Sequence, residues 1–210
     1  MASLLYRFLY WWSGHLPLRL ISKAGGPYLE RYYLFTLFGH RFYLHRFVAS
    51  DPDGWHDHPF ANTFSIVLWG EYGEEYFSPD KTAYAHRDWV ANCVLVKRRI
   101  VRWFNWIGAR HTHRVVIGND WSPVDGEVVR APRSKECWTL FVHEARYTKA
   151  WGFWKETADQ FRSALKFAYM TWKPWDGKRG LASSGQWWTT NPIGRLTAGR
   201  LPSLYAKTVE

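Results

Sequence analysis

GWHDHPFANTFSIVLWG, residues Gly54 to Gly70, sets two histidines about one aspartate and then runs into an apolar segment. Side chains alternate along an extended chain, so His56 and His58 face one way and Asp57 the other. Two imidazoles on one side of a strand edge deliver nitrogen ligands to a common point, as a metal ion requires. HTHRVVI, His111 to Ile117, repeats the device: His111 and His113 share a face and again lead into an apolar strand. Two such units, far apart in the chain, predict a metal site built from His56 and His58 with a third ligand from the second unit. The bland alternative is four rim histidines in ordinary hydrogen bonds.

Outward from this stretch the texture is that of strands. Arg31 to Ser50 is rich in aromatic and branched residues, with Gly39-His40 as a tight turn, and SDPDG at Ser50–Gly54 is a turn signal because Asp and Gly tolerate the dihedrals required. Phe64–Phe77, broken near Gly70 or Gly73, then Trp89–Phe104, His111–Ile117 and Glu136–Tyr147 read as further strands. Many short strands without alternating helices predict an all-β sandwich or barrel over residues 29–156. Residues 1–28 form an N-terminal helical extension, in which Leu4, Leu5, Phe8, Leu9 and Trp12 recur at helical spacing. TADQFRSALKFAYM, residues 157–170, reads as a C-terminal helix with Thr157 as its N-cap and Phe161, Leu165 and Ala168 on one face. Residues 171–210 are Gly-, Ser-, Pro- and Thr-rich and read as an extended basic tail.

Composition narrows the function classes. The 210-residue chain has a net charge of +10 and 15 tryptophans. That length buries a core without disulfide or metal staples. The positive charge attracts phosphate-bearing partners, so nonspecific contact with nucleotide or nucleic acid is one expectation, and a merely soluble surface is the other. Cys93 and Cys137 have no metal or redox spacing and point to a reducing, cytoplasmic setting. The N-terminal segment lacks a cationic lead and is too interrupted for a transmembrane span.

HDHPFANTFSIVLWG resembles the first cupin motif, in which a His-x-His pair, an acid and a glycine fall at fixed intervals; here these positions are His56, His58, Thr63 and Gly70. IGARHTHRV resembles the second motif, with His113 as the better match to the ligand histidine and His111 in an alternative register. The resemblance covers roughly Tyr32 to Trp154, and with AWGFW (Ala150–Trp154) it is similar to a set of small bacterial and phage cupin-like proteins. It implies a double-stranded β-helix jelly roll with a divalent metal near the barrel mouth. Iron heads the list, with zinc, nickel, manganese or copper also suited to imidazole ligands. It also implies a dioxygenase-type oxidoreductase acting on a small molecule, and a homodimer.

Thr63 stands where that family carries a glutamate ligand. The ligand set then becomes three histidines alone, a set completed by His111 or by Glu74, Glu75 or Asp57, or a pocket that works without metal. The second functional class is accordingly a non-catalytic or metal-free cupin module that binds a nucleotide, sugar nucleotide or nucleic acid. Two other features bear on it. Lys97–Arg114 interleaves arginines with Trp103, Phe104 and Trp106, either as a phosphate or base contact or as a solvated outer face. His45, on an early strand, either orients a ligand or sits at the rim with a backbone partner.

Overall fold

The computed structural model describes residues 2–23, 26–52, 54–78, 91–122, 129–156, 167–174 and 186–205. It opens with helix α1 (Ala2–Ser13) and continues almost entirely in strands. These are β1 (Leu18–Lys23), β2 (Gly26–Leu37), β3 (His40–Phe47), β4 (Trp55–His56), β5 (Asn62–Gly70), β6 (Tyr72–Phe77) and β7 (Ala91–Leu95). They are followed by β8 (Lys97–Val101), β9 (Phe104–Gly108), β10 (Thr112–Val116), β11 (Cys137–Glu144), β12 (Gly152–Glu156) and β13 (Phe167–Pro174).

Two sheets result, ordered β1-β2-β3-β11-β5-β9 and β7-β13-β12-β4-β10-β6-β8, and every pairing in them is antiparallel. Sequential strands cross between the sheets, as β5 and β6 do at Gly70, which is a jelly-roll type of arrangement of two antiparallel sheets. Gly70 carries a φ of 82°, and a Cβ there would come within 2.6 Å of the Glu136 carbonyl oxygen, so the corner accepts only glycine. The β2–β3 hairpin turns through Phe38 and Gly39, both at positive φ, which matches the twist of the strands it joins.

The two faces of the first sheet bury different things. Its inner face meets the second sheet through Val67, Tyr72, Val101, Val115, Ile117 and Cys137, and a second cluster on that sheet, Tyr43, Ile107 and Phe141, is packed by Trp187 from the C-terminal segment. Its outer face is covered by α1, where Tyr6 and Leu9 pack on Leu18, Tyr32, Leu44 and Trp138. The helix is present, but its docked face is not the one the apolar spacing suggests: Leu4, Leu5 and Phe8 are exposed, while Tyr6 and Ser13 are fully buried. Tyr6 turns inward because its hydroxyl donates to Glu136 beneath it.

Two expectations for the C-terminal part change. From Phe167 onward the segment expected to be helical is strand β13, which pairs with both β12 and β7 (Lys155 opposite Thr171, Tyr169 opposite Cys93). Residues 157–166 of that expected helix lie outside the described residues. Pairing on both sides overrides the local helical spacing. Nor do residues 186–205 trail away as an extended tail. They fold back through two 3-10 turns (Trp187–Thr189 and Gly194–Leu196), bury Trp187 in the inner cluster, and bridge Ile193 to Pro17.

Candidate metal centre

The segment Asp51–Pro59 is pinned at its polar residues so that its histidines face inward. Asp57, fully buried on the opposite side from them, accepts from the Gly152 amide at 2.7 Å and pairs with Lys149 at 2.6 Å. His56 ends up directly opposite His113 in the β4–β10 ladder. The Asp51 amide donates to the Val115 carbonyl, and Arg114 Nε donates to the Asp51 carbonyl, so this loop is stitched to β10 as well.

The outcome is a convergence of three imidazoles. Ring centroids of His56, His58 and His113 are 5.0–5.2 Å apart, and one nitrogen from each lies within 4.8 Å of the others. Nε2 of His58 is 2.9 Å from Nε2 of His113. Two nitrogens bound at right angles to one ion, each about 2.1 Å from it, would be about 3.0 Å apart, so the donor set fits a divalent transition metal. The far nitrogens of two of these rings face carboxylates: His56 Nδ1 lies 2.9 Å from Asp51 and His113 Nδ1 lies 2.8 Å from Glu74. A carboxylate on the outer nitrogen fixes the tautomer and aims the other lone pair inward, the usual arrangement behind a metal-bound histidine.

A second cluster shares His113. Glu74 Oε1 is 3.0 Å from His111 Nε2 and 2.8 Å from His113 Nδ1, and these three also form a potential ligand group. His111 stacks on Tyr76 and stands on the Glu74 side, away from His58. Glu74 is fully buried and further held by Asn105 Nδ2 at 2.7 Å and Arg99 Nε at 2.6 Å. Its neighbour Glu75 points to the other face of β6, where it pairs with Arg98 and Arg114. Of the acids weighed from sequence, Glu74 alone joins the histidines, while Glu75 and Asp57 are used elsewhere.

Protonation follows from these surroundings. Burial depresses His58 well below the ordinary imidazole value, and the positive potential of His113, His56 and Arg31 adds to it. Burial likewise takes His113 down to about 4 despite Glu74. His56 is opposed by burial too, but Asp51 outweighs it and the value rises. Burial disfavours a charged Glu74, yet the hydrogen bonds from His111 and His113 hold it well below the usual carboxylate range. Neutral His58 and His113 beside a charged Glu74 are in the ionisation states that ligation needs.

Sequence reasoning missed several residues here. Asp51 stands in the sequence only as part of a turn signal, Asn105 carries no signal, and Arg99 shows only as one cation of the Lys97–Arg114 run. His143 and Arg31 line the same interior. His143, depressed to about 3 by burial, stacks on Phe60 and lies opposite Thr63. His45 is not at a rim: it is buried, and its Nε2 accepts from Arg31 Nε at 3.0 Å. The arginines of Lys97–Arg114 also differ from a free cationic face, since Arg98, Arg99, Arg102 and Arg114 all pair with acids. No described helix is long and apolar enough to cross a membrane.

Among solved structures the chain is similar, at low sequence identity, to several proteins. Hydroxypropylphosphonic acid epoxidase from S. wedmorenis matches at 14% identity and a TM-score of 0.37, over 60% of this chain and 55% of that one. A cupin-2 domain protein from Rhodospirillum rubrum matches at 12% identity and a TM-score of 0.38, over 64% of this chain and 72% of that one. An oxalate oxidase in complex with glycolate matches at 14% identity and a TM-score of 0.34, over 55% of this chain and 46% of that one. The chain thus spans about half the length of the epoxidase. No protein-family model matches it, and no curated protein does.

Proposed function

We propose that this chain is a metal-dependent oxidoreductase of dioxygenase type acting on a small molecule, with His56, His58 and His113 holding a divalent metal, iron foremost. The observation that carries this reading is the convergence of three imidazoles whose ligand atoms lie within 4.8 Å of one another inside the barrel. Iron bound there would supply oxidative chemistry at coordination positions the protein leaves open. Asp51 and Glu74 keep His56 and His113 in the ligating tautomer, and Arg99 with Asn105 fixes Glu74. Phe60 and Phe141 keep the inner wall dry, which strengthens every electrostatic contact made there. His111 acts through Glu74, as a positioning residue.

The test is elemental analysis of protein purified without an affinity histidine tag or added metal. Near-stoichiometric metal is expected, falling below about a tenth in a His56→Ala/His58→Ala variant that keeps its circular dichroism spectrum. Unchanged metal in that variant rejects the proposal. The alternative, a metal-free module that takes nucleotide or nucleic acid through its basic surface, predicts no metal and retention on phosphate-bearing resin that collapses with salt. It draws less support, because much of the Lys97–Arg114 charge is already matched by acids.

A further inference from the structure

The inner face of the first sheet carries two arginines that pair with no acid among the described residues. Arg31 on β2 lies directly opposite Arg19 on β1 and directly opposite His45 on β3. Residues paired in this way share a face, and the positive charge of Arg19 is felt at Arg31. Like charges opposite one another across a sheet are destabilising, and a desolvated charge without a partner is more so. Among the described residues neither arginine meets a carboxylate. Arg31 donates only its Nε, to His45, while its guanidinium lies 5.5 Å from the Tyr43 ring centre and 6.0 Å from that of Phe141. Burial pulls both arginines below the usual guanidinium value. By contrast Arg46, Arg98, Arg99 and Arg114 each have an acid against them.

Location gives the pair its meaning. Phe141, which Arg31 overlies, has its ring 5.9 Å from that of His58, so one aromatic ring links Arg31 to the three-histidine cluster. The charge of Arg31 is felt at His58, behind burial and the neighbouring histidines. A fold keeps such a cost where a ligand removes it, and a guanidinium fork fits an oxyanion in bidentate fashion.

We infer that Arg31, assisted by Arg19, is the receptor for an oxyanion on the small molecule this barrel takes, a carboxylate or a phosphoryl-type group. The inference rests on the proposed function only in calling that molecule the substrate; the anion site itself needs no metal. Isothermal titration with propionate, methylphosphonate and the uncharged propionamide tests it, with metal content recorded for each sample. At least one anion should bind saturably and propionamide should not. Arg31→Met should weaken the anion at least tenfold and Arg19→Met several-fold, with metal content unchanged; Arg31→Gln gives the same reading if the methionine variant does not fold. The His56→Ala/His58→Ala variant should still bind the anion. Equal affinity in wild type and the Arg31 variants, absence of saturable anion binding, or loss of binding in the double histidine variant would each overturn it. Whichever of the two anions binds more tightly identifies the group.

Discussion

Adjacent rungs of the β2–β3 ladder hold the same residue type in opposite circumstances. Glu30 pairs with Arg46 on the outer face, and one residue on, Arg31 pairs with His45 on the inner face. Under α1, Arg46 has every N–H of its guanidinium engaged: Nε and Nη2 on Glu136, Nη1 on Glu30 and the Leu201 carbonyl, Nη2 also on Tyr6 and the Pro202 carbonyl. Inside the barrel the polar atoms are left open: Arg31 meets no acid among the described residues, and His45 Nδ1, Thr63 Oγ1 and Thr139 Oγ1 are buried without a partner. A closed polar network ties helix, sheet and C-terminal strap together. The inner one holds the polar atoms that the proposed anion site would engage.

The sharpest way to break this contrast is to remove the two arginines in turn. Arg46→Met leaves Glu30 and Glu136 buried without their cation and should destabilise by about 3–5 kcal/mol in urea denaturation. Arg31→Met deletes a desolvated charge that has no acid to abandon, so its stability should equal or exceed that of the wild type. Comparable losses in both variants would mean that the inner face is as structurally committed as the outer.

His143 probes the same inner wall through pH. Its folded value of about 3 lies below the unfolded imidazole value near 6.5, so between these limits the unfolded chain binds the extra proton. Stability from the neutral ring is therefore complete above about pH 6.5 and is lost as pH falls, by about 1.4 kcal/mol per pH unit for one such group. His143→Phe keeps the stack on Phe60 but forgoes the contact of Nδ1 with the Glu144 carbonyl. Relative to wild type, the variant should gain about 2 kcal/mol on going from pH 7 to pH 5. Parallel pH profiles for the two proteins would show that His143 titrates normally and is not buried as described.

Much of this was legible in the sequence, for identifiable reasons. Period-two alternation reports which residues share a face, so His56 could be placed with His58 and His111 with His113; choosing His113 over His111 came from the motif resemblance. Strand character was legible wherever aromatic and branched residues alternated, as in Arg31–Ser50. Residues 167–170 were not, because Phe167–Met170 fits both periods and only pairing with β7 and β12 decides between them. The strap was hidden because several of its anchors pair with distant parts of the chain, such as Arg200 with Tyr32 and Ser13 and Gly194 against the Ser13 carbonyl, where a Cβ would come within 2.7 Å. Asp51, Asn105 and Arg31 were hidden for a third reason: their roles depend on cross-strand neighbours that spacing along the chain does not encode.

Thr63 offers the smallest effect and the finest test of the open interior. It occupies the position at which the cupin motif carries an acid, on β5 opposite Ile107 and His143, and its hydroxyl is fully enclosed with no hydrogen-bond partner among the described residues. Desolvating a hydroxyl without replacing its hydrogen bonds costs about 1–3 kcal/mol, while valine has nearly the same shape. Thr63→Val should therefore gain about 1 kcal/mol in urea denaturation and leave metal content untouched, since no ligand atom is removed. A loss of stability of that size would mean that the hydroxyl is solvated in the folded protein. A loss of metal would instead make Thr63 a direct or bridged ligand, and the three-histidine set would have to be widened to include it.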